Sequence, residues 1–162
     1  MTVQEDLQKA VGLRNQGKPQ AAFLIIKKLL EDFPNDAKCN YQAAWTCDYM
    51  GKESEALPYY ERAIKNGLVG DDLKGALLGL GSTYRCLGKY QESLSIFDKA
   101  VAEFPEDRAF KVFRAMTLYN LKRHDKAFSE MLIQLLDTTS DKDILAYEKA
   151  LRFYSDKLDE TW

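Results

Sequence analysis

Residues 77–105, which read LLGLGSTYRCLGKYQESLSIFDKAVAEFP, decide the fold of this chain. Apolar residues recur there at steps of three and four in two successive segments, which is the spacing of one face of an α-helix. A short break at Leu87-Gly88-Lys89 separates the segments, and Pro105 ends the second because proline cannot donate the next backbone hydrogen bond. Gly81, on the apolar face of the first segment, lets a partner helix approach closely. The stretch therefore predicts two helices joined by a tight turn.

The same helical pair recurs along the chain with a period close to 34 residues. Gly88 stands 37 residues after Gly51, Gly51 stands 34 after Gly17, and Lys122 follows Gly88 by 34. One small and one large residue of the second helix keep this period: the small ones are Ala22, Ala56, Ser93 and Ala127, and the large ones are Ile26, Tyr60, Phe97 and Met131. Self-similarity at this period is typical of stacked helical hairpins, in which each hairpin buries its apolar face against its neighbours.

The third hairpin carries a recognisable family pattern. Its residues Leu77-x-x-Leu80-Gly81-x-x-Tyr84, then Ser93-x-x-x-Phe97, then Pro105, resemble the tetratricopeptide repeat (TPR) motif, with Leu77 where Trp is usual and Ser93 where Ala is usual. The resemblance covers about four repeats and implies an all-α fold, a right-handed superhelix of about four hairpins plus a C-terminal capping helix. It also implies that the first helices of the hairpins line a concave groove.

One domain is expected over residues 1–162, since a chain of 162 residues fits one domain. The predicted repeats span about residues 3–34, 37–68, 74–107 and 108–140, and a capping helix follows at 141–158. Residues 68–72 supply three extra residues between the second and third repeats. The capping helix can lay an apolar stripe on the fourth repeat and turn charged residues outward, as the end of a repeat array requires. Arg114 is expected to pair with Glu148 on that helix.

The charge balance and the hydropathy pattern exclude several partners. The net charge is −2 and no block of five like charges occurs, which argues against nucleic acid because phosphate contacts need a basic face. No apolar run reaches the length of a membrane span, and the N-terminal residues lack the apolar region of a signal peptide. We therefore expect a cytoplasmic protein with no membrane partner. The three cysteines form no CxxC pair, which favours reduced thiols.

Catalytic and metal-binding chemistry finds no support among the residues. His124 is the single histidine and stands where the third repeat has Tyr90, which favours a packing role. A metal site needs more ligands than one histidine and three scattered cysteines provide. No serine or cysteine has a credible base partner, and no glycine-rich phosphate loop occurs. The sequence therefore predicts a protein that is not an enzyme and that uses no metal or cofactor.

The resemblance also implies which residues contact a partner. In this family the groove is lined by the first helices, on the side away from the core. Following that side through the four repeats predicts a peptide-binding groove formed by Arg14, Asn15, Lys38, Tyr41, Trp45, Asp48, Tyr49, Leu78, Ser82, Arg85, Met116, Tyr119 and Asn120. The expected ligand is a peptide segment of a partner protein, which gives the chain a scaffold or adaptor role.

The second repeat contributes the most informative part of this predicted groove. Tyr41, Trp45 and Tyr49 are four residues apart and form an aromatic ladder along one side of a helix. Aromatic rings combine a large apolar area with a polar tip, and Tyr, Trp and Arg supply much of the energy of protein interfaces. The predicted groove also carries more basic than acidic residues. That combination favours a peptide with apolar anchors and some acidic groups.

Three interpretations of the aromatic ladder stay open. The rings line a ligand groove, or they pack against the first helices of neighbouring repeats, or they form a surface for self-association into a homodimer or larger homo-oligomer. The family's clamp for a C-terminal carboxylate, made of Lys, Asn and Arg, is absent, because the matching positions hold Leu7, Val11, Gln42, Gly75 and Gly79. A co-chaperone that grips such a tail is therefore disfavoured.

Overall fold

The computed structural model describes residues 2–162 and forms α-helices and connecting turns throughout that range. The helices are α1 (Val3–Asn15), α2 (Pro19–Asp32), α3 (Ala37–Tyr49), α4 (Glu53–Lys65), α5 (Gly70–Cys86), α6 (Tyr90–Glu103), α7 (Arg108–Asn120), α8 (His124–Thr138), α9 (Lys142–Ala146) and α10 (Glu148–Tyr154). The all-α fold predicted from the repeat pattern is confirmed. The chain forms two compact units, Met1–Gly88 and Lys89–Trp162.

The first unit consists of the hairpins α1–α2 and α3–α4 and the helix α5. Its first turn contains Gly17 with a φ of 75°, a left-handed conformation that a residue without Cβ adopts at little cost. Small residues hold the helices close together, since Ala10, Ala22 and Ala43 are fully buried around Ile26. Ala22 and Ile26 belong to the periodic columns, which therefore mark buried positions in this unit.

The extra residues between the second and third repeats lengthen a helix rather than a loop. Helix α5 has 17 residues, against 13 in α3, and it begins at Gly70, ahead of the predicted start of the third repeat at residue 74. Gly67, with a φ of 91°, ends the preceding segment as a left-handed C-terminal cap. Asp71 and Asp72 lie in the first turn of α5, where negative charge is favourable beside the helix dipole. The insertion thus adds about one helical turn.

The second unit consists of α6, the hairpin α7–α8 and the short helices α9 and α10. Phe97 is fully buried and packs on Phe113, with the ring centroids 5.9 Å apart. The turn between α7 and α8 contains Lys122 with a φ of 62°, so a residue with a side chain takes the left-handed conformation that glycine takes in the first unit. The turn keeps the repeat geometry although it contains no glycine.

The predicted capping helix is divided and shorter than expected. Residues 141–158 form α9 and α10, which are separated at Tyr147, and α10 ends at Tyr154. At this end the hydroxyl of Ser155 donates to the carbonyl of Arg152, a local bond that competes with continuation of the helix. Arg152 also pairs with Asp137 of α8. Such a tertiary contact sets the position of α10 and is invisible in the apolar periodicity.

The expected pair between Arg114 and Glu148 is wrong. The Nε of Arg114 donates to both carboxylate oxygens of Glu130 at 3.1 Å, and its Nη1 donates to Asp98 at 3.1 Å. Glu148 accepts instead from Arg152, one turn later on α10. The partners of Arg114 therefore come from α8 and α6, the helices packed beside α7, rather than from the C-terminal segment.

Candidate functional site

The aromatic ladder on α3 is buried at one end and exposed at the other. Tyr41 is 6% exposed, whereas Trp45 is 45% and Tyr49 is 56% exposed. The rings of Tyr41 and Trp45 are stacked, with centroids 5.8 Å apart. Tyr41 is thus a packing residue of the first unit, and Trp45 and Tyr49 are the rings that a partner can reach.

Two glycines of α5 make room for two buried tyrosines. A Cβ at Gly75 would overlap the hydroxyl of Tyr41, and a Cβ at Gly79 would overlap the ring of Tyr60 on α4. Because these recesses exist, α5 approaches α3 and α4 closely and the phenol groups lie inside the unit. From the sequence, Gly75 and Gly79 drew attention only because they stand where the family's carboxylate clamp would have Lys, Asn or Arg. Their packing role depends on tyrosines that are distant along the chain.

Asp48 connects three helices of the first unit. Its Oδ2 accepts from the Tyr60 hydroxyl at 2.7 Å, and the Thr83 hydroxyl lies 3.3 Å from both of its carboxylate oxygens. Burial raises the pKa of the Asp48 carboxyl, and the hydrogen bonds from Tyr60 and Thr83 act in the opposite direction. Burial also raises the pKa of Tyr60, which therefore stays protonated and keeps donating. Asp48 thus bonds α3 to α4 and α5.

Arg14 lies beside the ladder and is only 2% exposed. Its Nη1 donates to the side-chain oxygens of Gln42 and Thr46, at 2.9 and 3.3 Å. Its guanidinium carbon lies 4.1 Å from the centroid of the Trp45 ring, an attractive cation–π contact. Burial lowers the pKa of the guanidinium from its ordinary value. Arg14 therefore supports the exposed Trp45 and connects α1 to α3.

An open cleft of about 420 Å³ lies between α1 and α3. One wall carries Val3, Leu7 and Val11, which recur every four residues along α1 and make that side apolar. The polar lining consists of Gln4, Gln8, Asp36, Lys38 and Gln42. The sequence predicted Lys38 as a groove residue, but it missed Val3, Gln4, Gln8 and Asp36. The cleft exists because α1 and α3 are separated at this point, and the spacing of residues along the sequence does not predict the distance between two helices.

The remaining predicted groove residues of the first unit lie on α1 and α5. Asn15 is exposed as the last residue of α1. Leu78, Ser82 and Arg85 are half-buried and follow one another along α5. These four residues lie outside the lining of the α1–α3 cleft, and their contact with a ligand stays a prediction.

Three predicted groove residues belong to the second unit and lie on α7. Met116 and Tyr119 are exposed, and Asn120 is half-buried. Tyr119 packs against the edge of His124, with ring centroids 4.7 Å apart, so the single histidine has a packing contact as expected. The part that these residues take in binding stays a prediction.

A second cavity, of about 730 Å³, lies in the second unit between α7, α8 and the C-terminal residues. Arg114 and Glu130, which bond to each other, form part of its lining. The other lining residues are Lys111, Asp125, Lys126, Ser129, Ile133, Gln134 and residues 155–160, in which acidic and basic side chains are nearly balanced. The sequence contained no signal for this cavity, because its walls come from three separate segments.

Residues 2–162 lack the features of two other kinds of site. None of the helices in that range combines the length and the apolar character that a bilayer span requires. Over the same range, no three His, Cys, Asp or Glu side chains are grouped so that they could hold a metal ion. Cys39 and Cys47 are buried and Cys86 is exposed, and each is a free thiol.

Comparison with known proteins identifies the family to which this geometry belongs. The family model described as tetratrico peptide repeat matches residues 37–158, which is more than half of the chain. A TPR repeat-containing protein of Methanocaldococcus jannaschii is 32% identical over 83 residues, which cover 50% of this chain and 26% of that relative. The chain thus spans about a quarter of the length of the curated relative that it matches.

Solved structures show the same fold at low sequence identity. YrrB, described as a TPR protein with an unusual peptide-binding site, has a TM-score of 0.73 at 18% identity, over 94% of this chain and 77% of that chain. MamA has a TM-score of 0.73 at 19% identity, over 97% of this chain and 90% of that chain. At these identities the likeness shows the fold alone. Because the family model also matches most of the chain, the protein belongs to the tetratricopeptide repeat family.

Proposed function

We propose that the first unit binds a peptide segment of a partner protein in the α1–α3 cleft, next to the rings of Trp45 and Tyr49. The supporting observation is that helix α3 lines the open cleft with Lys38 and Gln42 and carries the exposed ring of Trp45 about one turn beyond Gln42. A bound segment gains apolar contact from Val3, Leu7 and Val11 and ring contact from Trp45. In this function the chain is a non-enzymatic scaffold or adaptor of the cytoplasm.

The family supports the wider statement that the chain is a protein–protein interaction module. Repeats of this kind generally bind other proteins and are generally not catalytic. The description of YrrB mentions an unusual peptide-binding site, and that description concerns YrrB. It agrees with a peptide as the ligand of this chain.

Affinity capture from a native lysate tests this function, with the wild-type chain and Trp45→Ala side by side. Because Trp45 is an accessible ring beside the cleft, its loss is expected to weaken capture of a partner by about tenfold or more, as removal of an interface hot spot does. The control is Trp162→Ala, which removes an exposed tryptophan from the second unit. Circular dichroism checks that both variants keep their helices. Wild-type protein that captures no partner, or a partner captured equally by Trp45→Ala, contradicts the proposed site.

Self-association is the second candidate function, and one feature of the second unit favours it. Phe128, Met131 and Leu135 follow one side of α8 and are each about half exposed. Tyr60 and Phe97, which stand at the position of Met131 in the two preceding repeats, are buried. An exposed apolar helix face of this kind is suited to cover by a second copy of the chain. Light scattering over a range of concentrations tests it, since a monomer at every concentration contradicts it.

A further inference from the structure

We propose that Arg14 is the receptor for an acidic side chain of the bound segment, at the end of the α1–α3 cleft beyond Val11. The proposal rests on the peptide-binding function above and names the chemistry of its ligand, which is a peptide with apolar residues and an Asp or Glu at one end of them. The family's clamp for a C-terminal carboxylate uses other positions, and those hold no Lys or Arg in this chain.

The positive charge of Arg14 is buried without an acid to neutralise it. Within residues 2–162, no carboxylate forms an ion pair with its guanidinium, and its Nη2 is buried with no hydrogen-bond partner. Burying an unpaired charge costs free energy, and departures from well-satisfied packing are concentrated at functional sites. A carboxylate from a ligand would supply both the counter-charge and the acceptor that Nη2 lacks.

Arg14 lies behind the lining of the cleft, next to two residues that belong to it. It follows Val11, the last apolar residue of the cleft wall on α1, by three residues, which is about one helical turn. Across the cleft, Gln42 both lines the opening and accepts the hydrogen bond from Arg14 Nη1 at 2.9 Å. A carboxylate that follows the cleft towards Arg14 therefore meets Gln42 first.

Gln42 is a neutral acceptor that a carboxylate can replace. Its side chain is half-buried and borders the open cleft, so its amide can be hydrated when the bond to Arg14 is released. A carboxylate that accepts from Nη1 and Nη2 together forms two charge-assisted hydrogen bonds, each roughly twice as strong as a neutral one. The ring of Trp45, with its centroid 4.1 Å from the guanidinium carbon, holds the guanidinium in position for this pairing.

The other charges of the cleft favour one direction for the ligand. Asp36 lines the cleft at the start of α3, at the opposite end from Arg14. Lys38 lies between them with a largely exposed side chain, and its Nζ is 4.0 Å from Asp72. A negative group is therefore repelled near Asp36 and attracted near Lys38 and Arg14. We expect the acidic residue of the ligand beside Arg14 and its apolar residues along the wall on α1.

A displayed library of random peptides without free C-termini tests this proposal on the full chain. Selection on the wild type is expected to enrich apolar residues together with one Asp or Glu, whereas selection on Arg14→Met is expected to enrich the apolar residues alone. The best wild-type peptide is then synthesised with its acid kept or changed to the amide, and both forms are titrated by calorimetry. Loss of the acid is expected to weaken binding to the wild type by about tenfold or more, and to Arg14→Met by less than about twofold.

Two further variants complete the experiment. Lys28→Met removes a positive charge from an exposed position of α2 and is expected to behave as the wild type. Arg14→Lys keeps the charge and is expected to retain part of the preference for the acid, so it replaces Arg14→Met if that variant fails to fold. Equal affinity of the wild type for acid and amide overturns the role of Arg14 and leaves peptide binding intact. Failure to enrich any peptide overturns the peptide-binding function itself.

Discussion

The two units hold their buried and half-buried charges in opposite ways. In the first unit Arg14 donates to two neutral side chains, and Asp48 accepts from two neutral hydroxyls. In the second unit Arg114 donates to the carboxylates of Glu130 and Asp98. In the second unit the charge of Arg114 is neutralised by acidic residues of the same chain. In the first unit the charges of Arg14 and Asp48 have neutral partners and, among the residues that the structure describes, no opposite charge beside them. Burial of an arginine is therefore a weak sign of a binding site, and burial without a neighbouring acid is a stronger one.

The pKa directions express the same contrast. Burial lowers the pKa of Arg14, whereas the hydrogen bonds that Arg114 donates to Glu130 raise its pKa in spite of burial. Both guanidinium groups stay charged at neutral pH, so the difference reports on their surroundings rather than on their ionisation. The surroundings of Arg14 disfavour its charge, and those of Arg114 stabilise it.

The largest expected difference in stability is between two variants in which one arginine of each unit is replaced by methionine, an uncharged side chain of similar length. Arg114→Met leaves the partly buried carboxylate of Glu130 without its cation, and we expect a loss of about 2–3 kcal/mol in the free energy of unfolding. Arg14→Met removes a buried charge that has no acid, and Thr46 still donates its hydroxyl to the Gln42 carbonyl at 2.7 Å. We therefore expect Arg14→Met to stay within about 0.5 kcal/mol of the wild type or to be more stable.

Urea unfolding followed by circular dichroism measures both variants under the same conditions. The comparison fails if Arg14→Met loses as much stability as Arg114→Met, because the fold would then need the charge of Arg14. Glu130→Gln provides a second measurement in the second unit, and it is expected to be destabilising because it weakens the same pair from the other side.

A smaller effect is expected when a neutral partner of the half-buried Asp48 carboxylate is removed. Tyr60→Phe deletes the 2.7 Å hydrogen bond to Asp48 and leaves the carboxylate with Thr83 as its remaining side-chain donor. Loss of a partner from a buried charged group costs roughly 1–3 kcal/mol. Thermal unfolding of Tyr60→Phe should therefore show a clearly lower midpoint than that of the wild type.

Tyr84→Phe is the control for this change, because the Tyr84 hydroxyl also donates to a carboxylate, that of Glu61, at 2.6 Å in an exposed position. Water can replace the phenol there, so we expect a change below about 0.5 kcal/mol. Equal midpoints for Tyr60→Phe and Tyr84→Phe would show that Asp48 is better hydrated than its burial indicates.

The smallest expected effect concerns the turns, which also differ between the units. Lys122 has a φ of 62°, where the first unit has glycines with positive φ. Lys122→Gly should raise the free energy of unfolding by about 0.5–1 kcal/mol, because the cost of a Cβ in the left-handed conformation is removed. Lys122→Ala keeps the Cβ and is expected to give no gain. If both variants had a higher free energy of unfolding, the cause would be the loss of the lysine charge and not the relief of backbone strain.

Periodic and local sequence patterns predicted the fold better than they predicted the candidate site. The turn at Gly51 and the start of α3 at Asp36 were predictable, because a left-handed glycine and an N-cap carboxylate act within a few residues. Tyr41 and Trp45 occupy equivalent positions of one helix, yet only Trp45 is exposed. The recess that receives Tyr41 is made by Gly75 on another helix, so no rule about α3 alone could separate the two rings.

Local pattern alone is sufficient to establish the helical hairpins and the TPR family, because a period near 34 residues requires the same small and apolar side chains in every repeat. It also marks the turns and the helix starts, which depend on neighbouring residues. Helix packing settles which of the charged side chains find an opposite charge and where a cleft opens. The partners of Arg14 and Arg114 come from other helices. The sequence pattern does not tell how far apart those helices lie, so it could not predict these partners.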